Sequence, residues 1–114
     1  MKQNQALIAL AALGQETRLS VFRLLVRQGP AGLPAGEIAQ HLGVPAPTLS
    51  FHLKELERAR LIQAERRQRQ IIYAADYGGA QDLLDFLMHD CCQGLPARCV
   101  DGETAGTRNI ADPT

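Results

Sequence analysis

The apolar residues of this chain recur at helical spacing through most of its length, most clearly in residues 45–62. There Leu49, Leu53 and Leu56 follow one another at intervals of four and three, which predicts an amphipathic helix from about Pro47. Pro47 suits the first helical position, where a missing N–H costs nothing. The same periodicity predicts further helices over residues 4–13, 16–28, 34–42 and 76–92.

The first and last of these helices carry more apolar surface than one small domain needs. The first, with Asn4 as its candidate N-cap, is apolar on nearly all sides at Leu7, Ile8 and Leu10. The last is similarly rich in apolar residues between positions 83 and 88. We therefore expect the protein to dimerise by packing these two helices across a twofold axis.

The remaining elements predict a helix-turn-helix followed by a hairpin. A short helix, a turn that contains Gly43 and the helix after it form the helix-turn-helix pattern. The helix over residues 16–28 is expected to bury Leu19, Phe22 and Val26 and to expose its arginines. Strands are predicted over residues 62–66 and 70–74. The fold class is therefore mainly α with a small β-hairpin (α+β).

The helix that begins near Pro47 has a polar face opposite its leucines, and this face carries hydroxyls, an aromatic ring and cations. That mixture is typical of a helix that enters a DNA major groove. The alternative is an ordinary amphipathic surface helix. The candidate DNA contacts on this face are Pro47, Thr48, Ser50, Phe51, Lys54 and Arg58.

The tip of the predicted hairpin concentrates positive charge. Arg66, Arg67 and Arg69 occupy three of four consecutive positions, and like charges repel there, so the cluster does not help folding. Contact with phosphates or with a minor groove would explain it. The alternative is a solvated strand edge that is protected by its charge.

The charges along the chain are unevenly distributed. The formal net charge is zero, which alone argues against a nucleic-acid-binding protein. Residues 18–72, however, hold nine lysines or arginines against four glutamates, whereas residues 76–114 hold two arginines against seven acidic residues. The positive half contains the candidate DNA-binding elements, so the polarity supports that interpretation.

Several protein classes lack support in the sequence. No apolar run approaches the ~20 residues of a membrane span, and the start of the chain has too little positive charge for a signal peptide. No phosphate-binding glycine loop and no catalytic triad is visible, so we expect no enzyme activity. Three cysteines are an odd number for a disulfide framework, and we expect a cytoplasmic protein with reduced thiols.

The three cysteines are the second candidate site. Cys91, Cys92 and Cys99 lie within nine residues, and their thiolates favour soft metal ions. Gly94 and Pro96 would let the chain turn back and bring all three sulfurs to one trivalent ion, arsenic or antimony. Zinc would want a fourth ligand, from His89 or a partner chain. Redox pairing and simple apolar packing are the alternatives.

Three stretches of the chain resemble the winged helix-turn-helix of the arsenical-resistance repressor (ArsR/SmtB) family. They are TRLSVFRLLVRQG, AGEIAQHLGVPAPTLSFHLKELERARLI and RRQRQIIYAA, and the likeness covers roughly residues 6–92. The resemblance implies a homodimer that binds inverted-repeat operator DNA and leaves it when an inducer binds. It carries DNA contacts over to Thr48, Ser50, His52 and the hairpin tip. For His52, a core or capping role is an equal alternative, because the helical wheel places it at the edge of the core.

The chain departs from the family pattern at the hairpin tip and at the family's metal-ligand positions. It has no glycine at the hairpin tip, no cysteine in residues 34–42 and no zinc-ligand pattern in the last helix. The cysteines after the last helix resemble a branch that senses arsenic with a vicinal pair and a third cysteine. The expected inducer is therefore As(III) or Sb(III), with no cofactor in the DNA-bound form.

The resulting prediction is a repressor with three parts. Residues 1–92 form the DNA-binding and dimerisation domain, residues 93–100 the metal-binding segment and residues 101–114 a disordered tail. The rival functions are a winged-helix repressor that senses thiol oxidation or Zn, Cd or Pb, and a thiol metal carrier that does not bind DNA.

Overall fold

The computed structural model describes residues 1–89, and it confirms the predicted fold class. The cysteine site, the metal-binding segment and the tail predicted from the sequence lie outside these residues. Residues 1–84 form one compact unit, and a second unit starts at Asp85. The elements in chain order are α1 (Gln3–Leu13), α2 (Glu16–Gln28), β1 (Leu33–Pro34), α3 (Ala35–Leu42), α4 (Ala46–Arg58), β2 (Ile62–Arg67), β3 (Gln70–Ala75) and α5 (Tyr77–Leu87).

The predicted hairpin is part of a three-stranded antiparallel sheet. Its order is β1-β3-β2, and the β2–β3 register runs from the pair Ile62 and Ala75 to the pair Arg67 and Gln70. The strand β1 pairs with β3 by placing Leu33 opposite Tyr73. Sequence periodicity missed β1 because two residues, one of them proline, are too short to show an alternating pattern.

The leucine stripe of α4 holds this helix to the core as predicted. Leu49, Leu53 and Leu56 are all essentially inaccessible to solvent. Burying a side chain of this size stabilises a fold by about 1.5–3 kcal/mol, so these three residues fix the rotation of α4 about its axis. The opposite face of α4 is consequently turned to solvent.

The predicted inward face of α2 is wrong for Leu19 and Val26, while Phe22 is half-buried. Val21, Leu24 and Leu25 are its buried residues, whereas Leu19 and Val26 are exposed. The helix carries two apolar stripes of similar content, and hydrophobic periodicity alone does not decide which one faces inward. The buried stripe includes the half-buried Arg18, whose side chain forms hydrogen bonds with the carbonyl of Ala12 and the ring of His52.

The helix α1 separates its apolar residues by size. Ala6, Ala9 and Ala12 are buried, while the larger Leu7, with 58% of its surface exposed, and its neighbours Ile8 and Leu10 face solvent. The helix starts at Gln3 with Lys2 in the N-cap position, two residues before the predicted cap Asn4. The exposed apolar face agrees with the expectation that α1 has surface left for a second partner.

The end of α4 is shaped by a left-handed residue. The N–H of Leu61 donates to the carbonyl of Leu56, and the N–H of Arg60 donates to the carbonyl of Glu57, both at 3.0 Å. Arg60 takes a φ of +63°, so the two bonds form a Schellman motif. This motif turns the chain directly from α4 into β2.

The helix α5 is seated on that turn and ends earlier than predicted. The Oδ1 of Asp76 accepts the N–H of Gly79 at 2.9 Å, and a Cβ on Gly79 would collide with the backbone carbonyl of Arg60. The helix ends at Leu87 instead of residue 92. Its last turn has no basic residue and includes Asp85, a charge that opposes the helix dipole. No helix in residues 1–89 is long and apolar enough to cross a membrane.

Candidate nucleic-acid interface

The polar face of α4 is the most prominent candidate surface in the described chain. The helix begins after Pro45, which occupies its N-cap position. Six of the residues predicted to contact DNA are exposed along it: Pro47, Thr48, Ser50, Phe51, Lys54 and Arg58. The structure thus brings the hydroxyl, aromatic and cationic side chains together on one helix face.

The two cations of this face are held differently. Arg58 donates from Nη1 to Glu55 Oε2 at 2.9 Å, in a pair whose side chains are 70% and 30% exposed. Exposed pairs of this kind contribute little stability, so a phosphate could compete for the guanidinium. Lys54 makes no ion pair with any residue in the described part of the chain. Its ammonium is available for a DNA phosphate or base edge.

His52 lies on the inner side of the same helix. The side chain is only 8% exposed, and its Nδ1 is 3.2 Å from Arg18 Nη1. Arg18 also donates from Nε to the carbonyl of Ala12 at 2.9 Å, so this one side chain connects the end of α1 with α4. The position of His52 favours the core role that the sequence left open beside a DNA contact.

The surroundings of His52 favour the neutral form of its ring. Burial and the Arg18 guanidinium lower the pKa of His52 below its ordinary value of 6.5, and Glu55 opposes the shift. A guanidinium has only hydrogen-bond donors, so Nδ1 must be the acceptor of the bond and the ring proton lies on Nε2. Periodicity gave no indication of Arg18, although its spacing from Val21 and Leu25 places it on the buried stripe of α2.

The hairpin tip is less uniform than its sequence suggests. Arg66 and Arg67 are neighbours in a strand, so their side chains leave opposite faces of the sheet. Arg67 bonds Glu65 Oε1 through Nη2 at 2.9 Å and the carbonyl of Ala31 through Nη1 at 3.4 Å. Among residues 1–89, Arg66 and Arg69 have no such partner. Those two are the stronger candidates for phosphate contacts.

The turn of the hairpin is made without glycine. Gln68 and Arg69 form the two-residue connection, and Gln68 adopts a φ of +57°. A side chain in this region is strained, and glycine would usually occupy the position. The hairpin therefore forms without a tip glycine, and the cost is a strained backbone at Gln68.

Comparison with known proteins identifies the fold and the family. A helix-turn-helix domain family matches residues 13–63. The transcriptional repressor SdpR of Bacillus subtilis (strain 168) is 30% identical over 78 residues, which cover 68% of this chain and 83% of that protein. The chain belongs to the ArsR/SmtB family of transcriptional repressors. Family members are transcriptional regulators, which confirms the prediction that the chain is not an enzyme.

Solved structures of ArsR-type proteins share the arrangement described above. An ArsR-like transcriptional regulator from Rhodococcus sp. RHA1 superimposes with a TM-score of 0.70 at 22% identity, covering 90% of this chain and 92% of that one. The homodimeric winged helix-turn-helix DNA-binding domain of Mb0332 from Mycobacterium bovis has a TM-score of 0.62 at 24% identity, with 75% and 84% covered. We call α4, the second helix of the helix-turn-helix, the recognition helix, and we call the β2–β3 hairpin the wing.

A protein metal site needs several ligating side chains close together. Within residues 1–89 no group of three or more His, Cys, Asp or Glu side chains could hold a metal ion. The predicted ligands Cys91, Cys92 and Cys99 lie outside this range.

Proposed function

We propose that this protein is a homodimeric repressor that binds an inverted-repeat operator and releases it when As(III) or Sb(III) binds its cysteines. The observation that carries the DNA-binding part is the exposed face of α4. Its rotation is fixed by three buried leucines, and the outward face presents hydroxyls, a phenyl ring and an unpaired ammonium. Such a face can contact base edges while the wing arginines contact the flanking phosphates.

The homodimer is supported by the distribution of apolar surface. Leu7, Ile8 and Leu10 on α1 and Leu84 on α5 are exposed, although each is large enough to be a core residue. Covering such side chains is the usual driving force of subunit association. The Mb0332 domain, which shares the fold, is homodimeric. A twofold dimer would place its two recognition helices ~34 Å apart, one turn of DNA.

The choice of inducer rests on the donor atoms that the sequence supplies. Cys91, Cys92 and Cys99 provide three soft thiolates within nine residues, a set that suits a thiophilic trivalent ion. Each thiol would replace one hydroxyl group of As(OH)3, and the thiol proton would leave with that hydroxyl as water, so three As–S bonds form as three waters are released. Sensing of zinc, cadmium or lead and sensing of oxidants are the competing functions of the same residues.

Induction in this scheme is a change in the balance between two dimer states. The recognition helices bind DNA tightly only when they are correctly spaced. An inducer can therefore act if it binds the other dimer arrangement more tightly, and its effect is limited by that difference in affinity. No contact between the inducer and DNA is required.

The experiment is operator release. The reduced protein is bound to fluorescently labelled DNA from upstream of its own gene, and arsenite, antimonite, zinc, cadmium, lead and peroxide are added in separate titrations. We expect release by arsenite or antimonite near stoichiometric concentration. The Cys99→Ser variant should bind the operator as the wild type does but stay bound in arsenite.

Other outcomes separate the alternatives. Release by peroxide alone, or by zinc, cadmium or lead alone, would keep the repressor and replace the inducer. Release of the Cys99→Ser variant by arsenite would refute the three-thiolate site. If the reduced protein bound none of the DNA, the repressor function would be wrong and the thiol metal carrier would be favoured.

A further inference from the structure

The exposed phenyl ring of Phe51 is unusual on the polar face of the recognition helix. It is 58% exposed, whereas the apolar residues before and after it, Leu49 and Leu53, are about 1% exposed. The fold therefore has a buried stripe on this helix and leaves Phe51 outside it. A large apolar group at the centre of a polar surface suggests a ligand with an apolar feature of its own.

The Phe51 ring also packs against a neighbouring ring. It contacts the ring of His52 edge to face, with the ring centroids 5.5 Å apart and the planes at 63°. His52 is buried and bonded to Arg18, so Phe51 rests on a fixed support. An aromatic side chain with few rotatable bonds loses little conformational entropy when it binds, and this support lowers the loss further.

The major groove offers a phenyl ring only one kind of apolar partner. Guanine, adenine and cytosine present hydrogen-bond donors and acceptors there, and only thymine adds a methyl group, at C5. A ring that covered a donor or acceptor would leave it without a partner, which is costly in a dehydrated interface. Phe51 should therefore prefer a base step that carries a thymine methyl.

We propose that Phe51 determines operator specificity by packing on the C5-methyl group of a thymine in each half-site. This inference rests on the proposed operator binding and adds the chemical group that is recognised. Ser50 and Lys54 lie beside Phe51 on the exposed side of α4, where they can contact the adjacent base edge and phosphate. The methyl contact then selects the sequence, while the cation contributes affinity for any DNA.

The test removes single methyl groups from the DNA. Operator duplexes are made in which one thymine at a time is replaced by deoxyuridine, which pairs identically but lacks the methyl. Binding of the wild-type protein is measured by fluorescence anisotropy at constant salt. We expect one position per half-site at which the loss weakens binding about fourfold, the equivalent of one buried CH₂ group. Removing both should weaken binding about sixteenfold, since the half-sites are separate.

Two variants assign the effect to this side chain. Phe51→Ala should bind the thymine and deoxyuridine operators equally and keep the wild-type dependence on salt. Phe51→Leu, which keeps an apolar group, should retain part of the preference. Because the ring is largely exposed, both variants should unfold at about the wild-type temperature.

The result that overturns the proposal is binding by the wild type that no single methyl removal weakens. A methyl preference that persists unchanged in Phe51→Ala would overturn it equally, since another residue would then be responsible. Both outcomes leave operator binding and arsenite release in place. A wild-type protein that binds no DNA would instead overturn the proposed function, and this inference with it.

Discussion

Protonation of His52 should destabilise the fold, because the ring takes part in a hydrogen bond that only its neutral form can make. Its Nδ1 accepts a hydrogen bond from the Arg18 guanidinium at 3.2 Å, and His52 itself is 8% exposed. A proton on Nδ1 would place two hydrogen-bond donors, both positively charged, opposite each other at that distance. The bond would be lost, together with the link that it makes between α2 and the recognition helix.

The direction of the pH dependence follows from the lowered pKa of His52 in the folded protein. In the unfolded chain the ring titrates near 6.5, so below that pH the unfolded state binds more protons than the folded state. The stabilising contribution is complete above this pH and is lost as the pH falls towards the folded-state pKa. Linkage limits the loss to about 1.4 kcal/mol between about pH 7.5 and pH 5.5, which applies if the folded ring stays neutral throughout.

The measurement is urea unfolding at several pH values and one protomer concentration, since dimerisation makes stability depend on concentration. The wild type is compared with His52→Gln, whose amide oxygen can accept from Arg18 but does not titrate. Carboxylates affect both proteins alike, so the difference between their pH profiles isolates His52. His41→Gln, at an exposed position of α3, serves as the control and should follow the wild type. Equal loss of stability in wild type and His52→Gln would refute the reasoning.

Three further predictions concern the wing and the turn after the recognition helix. Arg66→Ala should lower the slope of log affinity against log salt by about one. Arg67→Ala should lower it by less, because the Arg67 guanidinium is already bonded within the wing. Equal slopes for the two variants would contradict this prediction. Gly79→Ala should cost about 1–3 kcal/mol in thermal unfolding, since its Cβ would meet the Arg60 carbonyl, and a neutral result would show that α5 can shift. Gln68→Gly should raise stability by about 0.5–1 kcal/mol by relieving its positive φ, an effect that a lowered melting temperature would disprove.

The parts of the structure that could be predicted are those in which one pattern had no competitor. On α4 the residues Leu49, Leu53 and Leu56 form one continuous apolar stripe with no rival, so its burial and the exposure of the opposite face followed directly. The wing followed from β-branched residues on either side of a short polar turn. The strand β1 forms only by pairing with β3, which is distant in sequence, and a local pattern of two residues could not reveal it.

The positions of most candidate site residues on α4 and the hairpin were predictable, but the bonds among them were not. Sequence placed Arg66, Arg67 and Arg69 at the wing tip, yet the alternation of strand side chains separates the first two, and a nearby carboxylate and carbonyl occupy Arg67. The helical wheel placed His52 at the edge of the core and left its role undecided. The hydrogen bond with Arg18 favours the core role, and this contact joins residues 34 positions apart in sequence, so only the three-dimensional structure reveals it.

The orientations of α1 and α2 show that residue shape, as well as hydrophobicity, decides which face is buried. On α1 every candidate face is apolar, and the alanines face the chain's own core because small side chains allow close approach to the neighbouring helix. On α2 the buried stripe accepts Arg18, since its guanidinium reaches the carbonyl of Ala12 and the ring of His52. A polar residue with suitable acceptors can therefore occupy an inward position that hydrophobic periodicity assigns to the surface. The same arginine joins the end of α1 to the recognition helix, so the choice of face in α2 also determines how α4 is held for DNA.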